Sequence, residues 1–256
     1  MQETELNFVE YVQGCIESIS PNMGHDEIES ILKRVTEMLG FDHYSLMTGG
    51  VFGGQEIRGW EGKRPHRFIN FDKNFVDEYS INRLEQHDLI LKRGMNAWQP
   101  FQWSSIYKTT DLNNGQILLQ ELSADFGMRD GVIFPTQGFG DDISLFSLST
   151  ARDTYHCHMS IVVQSLILML INKIHFSIKA KYVREHFQDD KKLSARELDV
   201  LYWLKEGKTQ WEVSQILGIS EHTVDTHLRR AKAKLNVSTK EQAIAKTITI
   251  RMMEPI

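Results

Sequence analysis

Cysteine is almost missing: Cys15 and Cys157 are the only two in 256 residues. They lie far apart, so neither a disulfide framework nor a cysteine-based zinc site is supported. The first residues, Met1-Gln2-Glu3-Thr4-Glu5, are acidic where a secretory signal needs a cationic segment. The longest apolar run, Ile161 to Ile171, is broken by Gln164 and Ser165 and is expected to be too short to span a bilayer. A nucleophile elbow, an HExxH pair, a Walker loop and a GxGxxG turn are all missing, so no catalytic machinery is visible and no cofactor is expected. His156-Cys157-His158 is not read as a metal site, because consecutive positions splay their side chains around a helix. These absences point to a reduced, cytoplasmic protein that is neither an enzyme nor membrane-bound.

What is present is the composition of an ordinary globular chain, 41% hydrophobic and 25% charged, and its length suggests two domains. The net charge of −5 hides a split. From Lys191 onward, 12 Lys and Arg face 8 Asp and Glu, a net of +4; residues 1–190 hold 17 against 26, a net of −9. A polyanion is drawn to the small C-terminal part and repelled by the large N-terminal one.

The cationic part is also the most strongly patterned. Over Ser220 to Leu235 the residues Val224, Leu228, Ala231 and Leu235 recur at helical spacing, which predicts a core-facing stripe. The opposite face carries His222, Asp225, Thr226, Arg229, Arg230, Lys232 and Lys234. Ser220 is placed to cap the helix, and Leu217-Gly218-Ile219 supplies a tight turn from a shorter helix. Three further helix starts are marked by capping boxes: Ser194 with Glu197, Thr209 with Glu212, and Thr239 with Gln242. Leu198, Val200, Leu201 and Leu204 predict the core stripe of the first helix, Val213, Ile216 and Leu217 that of the second. Gly207 is expected to terminate the first helix. Helix, glycine turn and capped basic helix together are the sequence form of a helix-turn-helix that reads DNA, against the alternative of a plain four-helix module.

This stretch resembles the DNA-binding domain of the LuxR family, whose pattern runs L-S-x-R-E-x-x-V-L, then G-K-T, then E-x-x-x-I-L-x-I-S-x-x-T-V-x-x-H. The matching residues are Leu193, Ser194, Arg196, Glu197, Val200, Leu201, Gly207, Lys208, Thr209, Glu212, Ile216, Leu217, Ile219, Ser220, Thr223, Val224 and His227, with the pattern's tryptophan at Trp203. The match covers about a quarter of the chain.

Upstream, helix and strand alternate. Helices are expected over Glu5–Ile19 and His25–Leu39, the second ended by Gly40, and strands over His43–Thr48 and Phe68–Phe71, joined by a glycine-rich connection from Gly49 to Gly54. Phe75–Leu91 reads as mainly helical, and Gln116–Phe126 as a helix ending at Gly127. Gly131–Thr136 and Ile143–Ser149 form a hairpin around Gly138 to Asp141, and a long helix follows from Tyr155 to about Phe187. The fold class expected is α+β: an α-β-α sandwich around a mainly antiparallel sheet, plus a C-terminal four-helix domain.

The LuxR resemblance extends into this part. Autoinducer-binding domains of the family look like Y-P-x-x-W-x-x-x-Y, then D-P, then W, then G-x-x-x-P; here Tyr79, Asp88, Trp103, Gly131 and Pro135 match. The resemblance implies a pocket for an N-acyl-homoserine lactone, with Asp88 accepting from its amide and the aromatics enclosing it. The ligand set expected is Asp88, Tyr79, Trp103, Phe75 and Phe71, with Ser147 on the second hairpin strand. Phe71 and Phe75 stand where the family has a carbonyl-donating tyrosine and tryptophan, and Leu89 replaces the proline. Losing a donor against a buried carbonyl costs about 1–3 kcal/mol. The pocket is therefore expected to favour a ligand that has an N–H or O–H and fewer carbonyls, or a different small signal altogether. The alternative readings are a solvated loop carboxylate at Asp88 and a plain aromatic core.

The boundaries expected are a sensing domain over 1–178, a charged link over 179–192 that breaks at Asp189-Asp190, and a DNA-binding domain over 193–256. Apolar faces over Ile161–Ile171 and Ala243–Ile250 are available to a homodimer, which would present two recognition helices to double-stranded DNA. Arg229 suits guanine, Asp225 a cytosine amino group and Thr226 a thymine methyl. Lys208, Thr209, Thr223, His227, Arg230 and Lys234 are placed for phosphates. Regulation by phosphorylation, by a metal or without a ligand stays open at this level, although residues 1–150 lack the alternating βα units of a phosphoacceptor.

Overall fold

The computed structural model describes residues 3–52, 56–58, 65–108, 111–138, 142–152, 159–186 and 193–251. It divides into two compact units, Met1–Ser177 and Ile178–Ile256.

The first unit opens with α1 (Glu3–Ser18) and α2 (His25–Met38). In α2 the residues Ile28, Ile31, Leu32 and Val35 are buried at helical spacing, and the Glu27 carboxylate accepts from the Gly24 amide at the helix start. Strands β1 (His43–Phe52), β2 (Glu56–Arg58) and β3 (His66–Ile69) follow, then α3 (Lys73–Ile81), a 3-10 turn over Leu84–Gln86, and α4 (Leu89–Gly94). After β4 (Phe101–Gln102), α5 (Ser104–Tyr107) and α6 (Asn114–Asp125) come β5 (Asp130–Gln137), β6 (Asp142–Thr150) and α7 (Ile161–His186). The sheet is antiparallel in every pairing, in the order β2-β1-β6-β5-β4, with β3 sharing the outer edge of β1.

Side chains alternate across a strand, so the register assigns each residue to one of two faces. Tyr44, Leu46 and Thr48 of β1, Ser144, Phe146 and Leu148 of β6, and Val132, Phe134 and Thr136 of β5 share one face and are all buried. Against it lie α2, whose Glu29 accepts from the Tyr44 hydroxyl at 3.4 Å, and α7, whose His175 Nδ1 is 2.7 Å from Thr48 Oγ1 and 2.9 Å from Ser144 Oγ. The other face carries Ser45, Met47, Ile133, Leu145 and Ser147 beneath the helices α3 to α6. Both faces are covered, which is why β5 and β6 read as apolar runs rather than alternating strands. The expected α-β-α sandwich is the fold observed.

Tertiary contacts moved several boundaries. Gly49 to Phe52 continue β1 instead of forming a loop, because Gly49 and Gly50 pair with Ile143 and Asp142 of β6. Ladder pairing outweighs the poor strand propensity of glycine there. The helical stretch expected over Phe75–Leu91 is cut in two: Arg83 adopts a left-handed conformation (φ 50°), and Asp88 caps a new helix. The strands β2 and β4 and the helix α5 carry too few residues to show periodicity. The long helix begins at Ile161, after a non-helical Met159-Ser160, and not at Tyr155.

That helix also corrects the reading of its length: Ile161–Tyr182 is long and apolar enough, by composition alone, to cross a membrane. Nearly half of the segment is buried within the protein, Ile167, Leu170, Ile171 and Ile174 completely, so its apolarity is explained as that of a core helix. His156 to His158, the hairpin tip at 139–141 and the Asp189-Asp190 break lie outside the described residues.

The second unit is α8 (Ala195–Lys205), α9 (Gln210–Leu217), α10 (Glu221–Leu235) and α11 (Lys240–Arg251). All three expected capping boxes form. Val200, Leu201, Leu204, Val213, Val224, Leu228, Ala231, Leu235 and Ala243 make one core. Ala243 and Thr247 therefore turn inward, which removes them from the face offered to a dimer. Ile216, expected in the core, is exposed: α9 has only eight residues and buries Val213 and Ser214 instead.

Glu197 binds this unit together. Its buried carboxylate accepts from the Ser194 amide at 2.7 Å and from the Lys234 ammonium at 2.8 Å. Burial alone would raise its pKa, but the bonds from Lys234 and Ser194 outweigh that and hold the carboxyl below its usual range. A depressed carboxylate contributes stability above its unfolded pKa and loses it as pH falls through the folded value. Removing one partner of a buried pair costs about 3 kcal/mol. The Glu197→Gln variant is expected to lose stability in the second unit at neutral pH by that order, and so to melt at a lower temperature. Its melting point should then change less than the wild type's as pH falls from about 5 to about 3. Calorimetry at stepped pH checks this, and parallel pH curves for the two proteins would refute it.

Candidate functional site

Two places in the molecule bring chemistry together. In the first unit, a cavity of about 140 Å³ lies between the Ser45/Met47 face of the sheet and the helices α3 to α6. Asp88, Tyr79, Trp103, Phe75, Phe71 and Ser147 all line it. The six residues expected from the sequence share this wall with others that were not expected, among them Ser45, Met47, Arg67, Tyr107 and Leu145. Ser45 and Met47 were accessible from the two-residue alternation of β1; Tyr107 and Arg67 had no sequence signal.

The aromatic part is built on α3. Asp72 caps that helix by accepting from the Asn74 amide; Phe75 and Tyr79 lie one turn apart on one face of it, and Phe71, just before the cap, packs against Phe75. Phe75 meets Phe71 edge-on at 5.6 Å, Phe126 at 5.7 Å and Tyr79 at 5.9 Å between ring centroids. The rings pack on one another along the wall and leave the cavity open.

The polar part centres on Asp88. Its Oδ1 accepts from the Leu91 amide at 2.8 Å, which caps α4, and its Oδ2 accepts from the Tyr79 hydroxyl at 3.0 Å. Burial pushes the carboxyl upward, partly offset by those bonds. The Tyr79 hydroxyl is driven well above its usual range by burial and by the neighbouring Asp88, and burial raises Tyr107 too. Asp88 is therefore not a solvated loop residue. Two further groups on the cavity wall have no partner: Trp103 Nε1 and Ser147 Oγ are buried and make no hydrogen bond. A buried donor left unpaired costs about 1–3 kcal/mol, so both are available to an acceptor that enters the cavity.

Trp103 is held by the strand beneath it. Its amide donates to the Gly131 carbonyl at 2.9 Å, while Asp130 Oδ1 accepts from the amides of Ser104 and Gly131. A Cβ on Gly131 would stand 2.3 Å from the Leu148 carbonyl oxygen and 2.9 Å from the Trp103 ring. Only glycine lets the indole lie this close to the sheet.

In the second unit, α9 ends on Gly218 with φ 63°, a left-handed conformation that glycine adopts without strain. Ser220 accepts from the Thr223 amide at 3.1 Å and starts α10, whose Val224, Leu228, Ala231 and Leu235 are buried as expected. On the outward side, Arg229 Nε donates to Asp225 Oδ2 at 3.1 Å and Arg229 Nη2 to Thr226 Oγ1 at 3.3 Å. Arg230 is exposed, Lys208 is 3.9 Å from Glu212, and the Thr209 hydroxyl is occupied by its capping box. Thr223 Oγ1 meets Ser220 Oγ at 2.8 Å, and His227 Nδ1 is buried without a partner. Lys234, expected at a phosphate, pairs with the buried Glu197 carboxylate in the free chain. Trp211, largely exposed on α9, had not been singled out.

Both units match known family models. Residues 24–177 match the family model described as an autoinducer binding domain, and residues 191–247 the one described as bacterial regulatory proteins, luxR family. The transcriptional activator AhyR of Aeromonas hydrophila is 27% identical over 90% of this chain and 87% of its own. VanR of Vibrio anguillarum, also a transcriptional activator, is 25% identical over 88% and 90%. Among solved structures, Escherichia coli SdiA superposes with a TM-score of 0.74 at 19% identity, covering 98% of this chain and 99% of that one. SdiA in complex with octanoyl-rac-glycerol gives 0.72 at 20% identity, covering all of both chains.

The seat of Trp103 is open to a direct test. Gly131→Ala forces either the ring or the β5–β6 pairing to move, and overpacking of this kind costs about 1–3 kcal/mol. The first unit is expected to lose that much stability and to melt earlier; a variant that melts with the wild type would show that the ring is not held against the strand.

Proposed function

This chain belongs to the LuxR family of bacterial regulatory proteins with an autoinducer-binding domain, and from that premise we propose a signal-dependent dimer that reads promoter DNA. The observation that carries the signal-binding half is the convergence of Asp88, Tyr79, Trp103 and Ser147 on one largely apolar cavity. Asp88 accepts from an N–H or O–H of the ligand. Trp103 Nε1 and Ser147 Oγ supply an acceptor group with the partners that they themselves lack. Phe71 and Phe75 offer no donor, so the preferred molecule has a donating head, one accepting oxygen and an apolar tail. A homoserine lactone with an acyl chain and a glycerol ester are the two chemistries to compare, and the second asks for fewer carbonyl partners.

The reading half places the α10 face that carries Asp225, Thr226 and Arg229 in the major groove, and assigns Lys208, Thr209, Thr223, His227 and Arg230 to the backbone. Lys234 is left to Glu197. Residues 1–178 serve as the sensing domain, 179–192 as the link and 193–256 as the DNA-binding domain of a protein that works in the cytoplasm. The second copy docks along α7, where Ile161, Val162, Met169 and Phe176 are exposed on a helix whose other side is core. The family is one of transcriptional regulators, and the chain is read as a regulator rather than an enzyme.

Two measurements test this. Ligand at 100 times its Kd stabilises the native state by about 2.7 kcal/mol. A thermal-shift panel of N-acyl homoserine lactones and monoacylglycerols is expected to raise the melting point of the wild type and leave that of Asp88→Ala unmoved. Equal shifts in both proteins would remove Asp88 from the site. On duplex DNA, Arg229→Ala is expected to relax one base position by about 1–3 kcal/mol, read by competition between duplexes; a uniform loss on all sequences would make Arg229 a backbone contact.

A further inference from the structure

The side chains of Asp225, Thr226 and Arg229 do not stand separately on α10. Arg229 Nε donates to Asp225 Oδ2, Arg229 Nη2 to Thr226 Oγ1, and the Thr226 hydroxyl donates in turn to the His222 carbonyl at 3.0 Å. The guanidinium has five N–H donors in a rigid plane, and these contacts occupy two of them. Both N–H groups of Nη1 and one of Nη2 remain. They form the end-on pair that guanine O6 and N7 take. The Thr226 hydroxyl both donates and accepts within the helix.

We infer that Asp225 acts as the positioning residue of Arg229, steering its end-on fork toward one guanine, and does not read a base itself. This rests on the reading of the exposed α10 face as the one that enters the groove. An arginine left loose reaches phosphates and bases alike, and its contact then carries little sequence information. Held by Nε, the same group is presented in one orientation. The i, i+4 pair is half exposed in the free protein and weak there. Inside a groove, with water displaced, the attraction between the two charges strengthens. The carboxylate costs affinity as well, since it stands against a polyanion wherever the helix binds. Asp225 thus exchanges general affinity for discrimination, which a cation at the same position cannot do.

The experiment uses the full chain and a pool of duplexes randomised across the bound site, with wild type, Asp225→Ala, Asp225→Asn, Arg229→Ala and the double variant Asp225→Ala/Arg229→Ala. Helical content by circular dichroism verifies that each is folded; both residues are on the surface, so folding is not at stake. Arg229→Ala is expected to lower the preference for guanine at one position by about tenfold. Asp225→Ala is expected to lower it at that same position by a smaller factor while binding random duplex more tightly. The double variant should match Arg229→Ala, and Asp225→Asn, whose amide oxygen still accepts from Nε, should retain part of the preference. Relaxation by Asp225→Ala at a different position, additive with Arg229→Ala, would show that Asp225 reads its own base and would overturn the inference alone. No change in any position with Asp225→Ala would overturn it too. If Arg229→Ala itself leaves every position unchanged, the assignment of this face to base reading falls with it.

Discussion

The two-residue alternation of β1, β5 and β6, with both faces covered, is the constraint on which the first unit depends. One face is packed shut by Tyr44, Leu46, Phe134, Phe146 and Leu148 against α2 and α7. The other presents Ser45, Met47, Ile133, Leu145 and Ser147 to helices that do not fill the space above them. A shift of one residue in any of these strands would exchange its inner and outer sets and turn large apolar side chains of the closed core toward the cavity. Register and cavity are therefore the same fact seen twice.

What keeps that space from closing is the rigidity of its walls. Phe71, Phe75, Phe126 and Tyr79 meet one another at edge and tilted angles and cannot collapse inward without losing those contacts. Trp103 lies against Gly131, anchored by Asp130 on one side and the strand backbone on the other. Asp88 spends one oxygen on the start of α4 and the other on Tyr79, so a residue offered to a ligand is also a structural one. Folding strands Trp103 Nε1 and Ser147 Oγ without partners. An unmet hydrogen-bonding need in a buried apolar space is the mark of a place where something else binds.

The second unit solves a different problem: four short helices with little core. Its order comes from helix ends. Ser194, Thr209, Ser220 and Thr239 each satisfy amides at a helix start, and Glu197 links one of those starts to Lys234 across the unit. That linkage is a weak source of net stability, since desolvating two charges consumes much of their attraction. It does specify which face of α10 turns inward. The face left outside gathers Arg230 beside the bonded group of Asp225, Thr226 and Arg229.

Almost everything local in this chain was legible in the residues alone. Caps at Ser194, Thr209, Ser220 and Thr239, the buried stripe of α10, the turn at Gly218 and the long runs of β5 and β6 all follow from spacing and side-chain chemistry, which act over a few residues. The candidate wall of Phe71, Phe75, Tyr79, Asp88, Trp103 and Ser147 was legible through family resemblance rather than periodicity. What only the tertiary structure decided was that Gly49 to Phe52 belong to a strand, that Arg83 breaks a helix, that Ile216 faces outward, and that Lys234 pairs with Glu197. The strand and the ion pair depend on partners far away in sequence, and pairing across a sheet or a core leaves no period in the chain that an observer could count.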